Sequence, residues 1–428
     1  MMSMKSESKI NSQWTWLTML LIGMLTLGIT SCDEDDSNTL TPEPEEPEEV
    51  GSAWVYGFSN NSPQGAVIYM GVAEEIPTQL DLNTSIELGS SVSTFSYGEN
   101  IYTWNSNAST ITKWGVDRST LEVSVENILS LASIGITGNA GGNPAFLSDT
   151  RAFVSDLAEG VMIEWNPETM EITQTYQVDP LPKQDDLIGN VFFSENRRSV
   201  SSEGKILMPV QYIPFDCCEY YDVGGAYLAV FDPATGTIEY NQDSRLISSN
   251  GIFLSDEAGN KYLAPTEYNF MVTNYFDVNE NEIGSPFPIL RVNDDGTYDP
   301  DFIFDVTDFI DTKLIAGVVT VFDNNVVVRH VEEDFEFPEA YADRWSFWGD
   351  GFKSSIVNFE TSEVRDFTAF DGFSYDFFVG SIDGSNYFSA GLGGDNVTGT
   401  IIRQDGAEQF TTVTEVDGGV IQHINKLW

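Results

Sequence analysis

Beyond residue 50 the apolar positions alternate with polar ones over short runs, and no stretch keeps a helical spacing for long. The alternation is clear in Phe95–Trp104 followed by Thr110–Asp117, and again in Ala145–Val154 followed by Val161–Thr169. A third copy pairs Lys205–Met208 with Ala226–Gly236. Such period-two runs predict half-buried strands, and Asn166-Pro167 and Asp232-Pro233-Ala234-Thr235-Gly236 supply turns between them.

The runs repeat as a unit: a short strand, a turn, a β-branched or aromatic strand, then a strand ending in Asp or Asn. Third strands end near Met70, Asp117, Asn166, Asp232, Asn293, Asn358 and Asp405, at intervals of 47, 49, 66, 61, 65 and 47 residues. Four short strands plus loops in each interval make a propeller blade, and seven blades is a common closure. The expected fold is all-β, a seven-bladed β-propeller over residues 51–428. Trp54–Phe58 and Val420–Ile424 are left over and are expected to share one blade, hiding both edges. Two β-sandwiches are the rival architecture, but no linker after residue 51 separates two domains.

The three long intervals gain their residues at one place, between the second and third strands, in 211–225, 267–285 and 332–351. Alternate connections of an antiparallel meander leave the same end of the sheet, so these loops belong to one face of the ring. They carry Tyr212, Phe215, Tyr220 and Tyr221, then Tyr268, Phe270, Tyr275 and Phe276, then Tyr341, Arg344, Trp345, Phe347 and Trp348. Clustered Tyr, Trp and Arg are the residue types of binding hot spots, and loops this long in a compact fold are usually functional. The expected ligand contacts are Tyr212, Phe215, Tyr220, Tyr221, Tyr268, Tyr275, Arg344, Trp345 and Trp348. Packing of these rings onto the propeller is the alternative. The adjacent Cys217 and Cys218 form either a vicinal disulfide, which persists outside the cytoplasm, or two free thiols.

Other chemistry is sparse. Alternating oxygen ligands in Asp277–Glu282 open like a calcium loop, but the spacing fails after Ile283-Gly284 and a plain turn is the better reading. The chain holds 2 His in all, and His330, at the end of a strand, reads as structural. No nucleophile elbow, phosphate loop or His-rich metal cluster occurs, so neither a cofactor nor a metal is expected and a binding protein is favoured over an enzyme.

The first 50 residues read as an address. Lys5 and Lys9 precede an apolar run from Trp16 to Ile29, the size of a signal-peptide core. It ends Leu27-Gly28-Ile29-Thr30-Ser31-Cys32, an aliphatic residue and small ones before Cys, the box at which bacterial lipoproteins are cleaved and acylated. Residues 1–31 are therefore expected to be removed and Cys32 to carry the lipid anchor. Asp33–Glu49 holds nine acids, no base, and Pro42, Pro44 and Pro47, which predicts an extended tether over 32–50.

Charge sharpens the picture. With 67 acidic and 19 basic residues the formal net charge is −48, and removing the leader and tether residues leaves 57 and 17, or −40, on the folded body. Such a field repels phosphate backbones and excludes nucleic acid as a partner. Solubility explains it better than an acidic binding site does.

The segment Phe287–Val306, with the Gly-containing strand Ile315–Thr320 after it, resembles part of a Bacteroidota surface-lipoprotein β-propeller family. The Asp232–Gly236 turn and the box before Cys32 agree with it, and Asp33-Glu34-Asp35-Asp36 resembles the acidic signal that exports such lipoproteins to the outer face of the outer membrane. The resemblance implies a partner, a TonB-dependent outer-membrane receptor, and a cargo, a ferric siderophore. No binding residue of the family can be matched here. An anionic cargo would need local cations such as Arg344, Lys353, Arg329, Arg197 or Arg198. A glycan-binding lipoprotein and a propeller lactonase or lyase are the alternatives.

Overall fold

Every residue of the strand Ile315–Phe322 is buried, and so are the first six of Ala226–Asp232, whereas Glu171–Gln177 is mostly exposed. Strands buried on both sides beside strands open to water are the mark of sheets packed face to face around an axis, with inner and middle strands walled in by neighbours. The computed structural model describes residues 51–428 except 63–64, 137–140, 183–187, 191–198, 214–224, 247–250, 257, 266–286, 313–314, 332–351, 374, 393–396 and 407–408.

Seven antiparallel sheets form a seven-bladed β-propeller. From the axis outward, blade one is Ile421–Lys426, Trp54–Ser62, Gly65–Ala73 and Ile86–Gly89. Blade two is Val92–Tyr97, Asn100–Asn105, Thr110–Val116 and Val123–Ser130, and blade three is Gly141–Ser148, Arg151–Asp156, Val161–Asn166 and Glu171–Gln177. In blade four the inner strand is split into Ile188–Asn190 and Ser199–Val200, followed by Ile206–Ile213, Ala226–Asp232 and Thr237–Asp243. Blade five is Gly251–Ser255, Lys261–Pro265, Pro288–Val292 and Tyr298–Asp305. Blade six is Ile315–Phe322, Asn325–His330, Lys353–Asn358 and Val364–Asp366, and blade seven is Tyr375–Ile382, Ser385–Gly391, Thr398–Gly406 and Gln409–Asp417. All seven sequence markers fall in, or directly after, a third strand.

Local chemistry explains those markers. The Asp117 carboxylate accepts from the backbone N–H of Ser119 and Thr120 at 2.9 Å and from the Ser119 hydroxyl at 2.7 Å. These bonds to its charged form hold its pKa down at about 2. Asn166 and Asn358 accept in the same way from residues two and three further on. The fifth residue closes each turn in the left-handed region: Leu121, Met170, Gly236 and Ser362 have φ of 58°, 57°, 71° and 59°. An Asx residue stopping the third strand is thus the sequence trace of one turn used again and again.

The ring closes as the two leftover segments require. Ile421–Lys426 pairs with the N-terminal strand in the register Trp54↔Lys426, Val55↔Asn425, Tyr56↔Ile424 and Gly57↔His423. Apolar side chains gather into seams rather than one centre. Phe95, Tyr102, Ile163 and Trp165 join blades two and three, and Phe153, Met208, Tyr212 and Phe231 join blades three and four. Phe370 and Phe388 join blades six and seven, and Phe58, Tyr387 and Ile421 close blade seven onto blade one.

Candidate functional site

Connections between second and third strands span 63–64, 106–109, 157–160 and 392–397 in blades one, two, three and seven. In blades four, five and six they span 214–225, 266–287 and 331–352. Strand alternation brings all of them, with the links that lead into each next blade, to one face of the ring. The long connections therefore belong to three consecutive blades, and their flanking strand ends lie on that face. Phe215, Cys217, Cys218, Tyr220, Tyr221, Tyr268, Phe270, Tyr275, Phe276, Tyr341, Arg344, Trp345, Phe347 and Trp348 lie outside the described residues, as do 277–282, Arg197 and Arg198.

The roots of the loops are described, and they are firmly held. His330 ends the second strand of blade six. Its Nδ1 lies 3.1 Å from the Val331 carbonyl and its Nε2 lies 2.9 Å from the Ser355 hydroxyl. A neutral imidazole satisfies both contacts, with Nδ1–H donating to the carbonyl and Nε2 accepting from Ser355. Burial pushes the His330 pKa down and Lys353 adds to this, while Asp371 and Asp366 oppose it. The neutral form is the outcome, so His330 acts as an uncharged pin. The Thr312 hydroxyl donates to the same Val331 carbonyl at 2.9 Å. At the far end of the loop the Phe352 N–H donates to the Phe373 carbonyl, and the Gly372 N–H to the Phe352 carbonyl, both at 3.0 Å.

Arg329, one residue before His330, is only 1% exposed, with its guanidinium 5.9 Å from the Phe352 ring. It was offered as a local cation for an anionic ligand; the structure buries it at the end of the second strand of blade six instead. Lys353, the strand partner of His330, is exposed at the same root. In blade five, Phe287 is fully buried and its N–H donates to the Asp305 carboxylate at 2.9 Å.

Tyr212 also stands differently from its expected place. It belongs to the strand Ile206–Ile213 and not to the loop, is 1% exposed, and donates its hydroxyl to the Pro182 carbonyl at 2.7 Å. Its ring meets Tyr227 edge-on at 5.5 Å, and burial raises its pKa. It is a seam residue between blades three and four. Many of the cations elsewhere are bound to carboxylates of their own surroundings: Arg151 to Glu164 at 2.8 Å, Arg245 to Asp243 at 2.7 Å and Lys261 to Asp294 at 2.6 Å. Among the described residues no group of His, Cys, Asp and Glu is arranged to hold a metal.

No family model and no curated protein matches the chain. Solved structures resemble it in architecture. A candidate 6-phosphogluconolactonase from Bacteroides uniformis is 12% identical with a TM-score of 0.45, over 88% of this chain and 99% of that one. Apo AztD from Citrobacter koseri is 12% identical with a TM-score of 0.42, over 88% and 98%. The β-propeller domain of the Trilobed protease from Pyrococcus furiosus is 11% identical with a TM-score of 0.40, over 84% and 94%. These likenesses concern the fold and assign no role.

Proposed function

We propose that the chain is a lipid-anchored binding protein of the outer membrane, displayed on the cell surface. In this reading the loop face of blades four to six captures a ferric siderophore or a related ligand and passes it to a TonB-dependent receptor. The observation that carries the reading is the run of three adjacent blades with long second-to-third loops on one face, rooted by buried groups and rich in Tyr, Trp and Arg. Rigid roots lower the ordering cost of binding, and rings would hold catecholates by stacking while Arg344 meets their charge.

Trp345→Ala and Trp348→Ala are each expected to weaken binding of a ferric siderophore by about 1–3 kcal/mol, the range of truncated hot spots. Arg344→Ala should cost a similar amount, with a loss that shrinks at high salt. Titration of intrinsic Trp fluorescence measures this, with oligosaccharides as the competing ligand class. Trp114 is the contrasting position. It stands in the third strand of blade two and donates its indole N–H to the Thr103 hydroxyl at 3.0 Å. Trp114→Ala should lower the melting temperature and leave affinity intact. If Trp345 and Trp348 instead behave like Trp114, the loop rings are packing and the face is not the site.

The address is tested separately. Cys32→Ala should release the protein from the membrane fraction without unfolding it, because acyl chains carry the attachment. Replacing Asp33–Asp36 by Ala should leave the protein lipidated but protected from protease added to intact cells. Undiminished cleavage would remove the export-signal reading.

A further inference from the structure

His423 stands on the innermost strand of blade one and Ser96 on the innermost strand of blade two, 327 positions apart in sequence. Their side chains meet: the Ser96 Oγ lies 3.1 Å from His423 Nε2. Asn425, two residues on from His423 and so on the same side of its strand, donates its Nδ2–H to the same Oγ at 2.7 Å. In the tautomer that carries its proton on Nδ1, Nε2 accepts from the Ser96 hydroxyl while the amide fills one lone pair of Oγ. That is the arrangement of a nucleophile beside its general base.

Two further features mark the spot. Thr94, on the same side of its strand as Ser96, is 1% exposed, and its hydroxyl has no hydrogen-bond partner among the described residues. A buried orphan hydroxyl costs stability unless a water or ligand group reaches it. Gly57 is the register partner of His423, and a Cβ there would come within 2.9 Å of Thr94 Cβ and 3.4 Å of His423 Cβ. A strand-interior glycine thus leaves the room in which Thr94 and His423 converge. Ser96 and Asn425 are half-buried on the innermost strands of their blades.

We propose that this seam is a serine-nucleophile site that hydrolyses small uncharged esters or lactones. Ser96 Oγ attacks the carbonyl carbon as its proton passes to His423 Nε2, and Asn425 Nδ2, which lies beside Oγ, donates to the oxyanion that forms. The carbon–oxygen bond to the leaving alkoxide breaks, and His423 returns the proton to that oxygen. Water then adds to the acyl-serine, giving its proton to His423, and Ser96 leaves and is reprotonated. The sum is ester plus water to acid plus alcohol. An uncharged substrate fits because Thr94, Ser96, Asn425 and Gly57 are neutral and the body around them carries an excess of acids that repels anions.

The test is labelling of the purified protein with a fluorophosphonate, adduct mapping by peptide mass, and hydrolysis of p-nitrophenyl butyrate. The expected adduct is on Ser96. Ser96→Ala, which removes only a partly exposed hydroxyl, should keep the wild-type melting temperature, lose the adduct and fall to the rate without protein. His423→Gln should slow turnover by about 10²–10⁴-fold, the usual worth of a general base, and Asn425→Ala by about 10²-fold as a lost oxyanion donor. A wild-type protein with neither adduct nor turnover overturns the proposal. So does an adduct on another residue, or turnover that survives in folded Ser96→Ala. None of these outcomes bears on ligand binding at the loop face, so the two readings stand or fall separately.

Discussion

Gly419→Ala is expected to lower the unfolding free energy by about 3 kcal/mol, at the upper end for an overpacked site. Gly419 lies where the C-terminal segment turns into the innermost strand of blade one. A Cβ there would sit 1.8 Å from the Ser59 carbonyl oxygen and 2.9 Å from its carbon, which no side-chain rotation relieves. The two backbones cannot simply part, because three bonds tie them. The Ser59 N–H donates to the Val420 carbonyl at 2.8 Å, and the Asn61 N–H to the Gly418 carbonyl at 2.7 Å. The Val420 N–H donates to the Ser59 hydroxyl at 3.1 Å. Strain at this point is strain on the closure of the ring, since the strand that follows pairs the last residues with Trp54–Phe58. Gly418→Ala is the control: its φ is +71° but a Cβ meets nothing within 4 Å. Only the left-handed penalty of about 1–2 kcal/mol applies there. Denaturant midpoints compare the two variants, and equal midpoints for Gly419→Ala and wild type would contradict the closure argument.

The architecture was legible because its signals are local. An Asx residue that stops the third strand satisfies backbone donors two and three positions on, so blades two, three and six each stamp that turn into five consecutive residues. The placement of the long loops was legible for the same reason, as extra residues between two recognisable strands. Partners across the ring leave no such trace. Nothing near Ser96 announces His423, and nothing near Val331 announces Thr312 or Ser355. Tyr212 was placed in a loop expected to begin at Gln211; pairing of Ile188 with Ile213 carries the strand through residue 213. Arg329 could be offered as a cation for an anionic cargo because a strand buried on both faces shows no alternation that could mark an inward charge. The loop rings themselves remain a matter of composition and position, which is why their role is tested by substitution.

Trp165→Ala should cost about 3–5 kcal/mol, the range for emptying a core of a large aromatic side chain. Trp165 is fully buried on the third strand of blade three, and its ring meets Tyr102 and Phe146 edge-on at 5.8 Å each. Phe95 stacks on Tyr102 at 5.7 Å and Tyr97 on Phe146 at 4.4 Å, so this one indole joins two stacked pairs contributed by blades two and three. Its removal leaves a cavity that neither blade can close alone, because each is fixed by its next seam. Yet the indole N–H is buried with no hydrogen-bond partner among the described residues, which by itself costs roughly 1–3 kcal/mol. Trp165→Phe keeps an aromatic edge toward both partners and removes that orphan donor. It should therefore fall within about 1.5 kcal/mol of wild type, as a conservative core exchange does. Thermal and denaturant unfolding of the pair separate ring packing from the donor. If phenylalanine proves as damaging as alanine, the N–H is bonded in solution, and the seam between blades two and three holds an ordered polar group that its packing does not reveal.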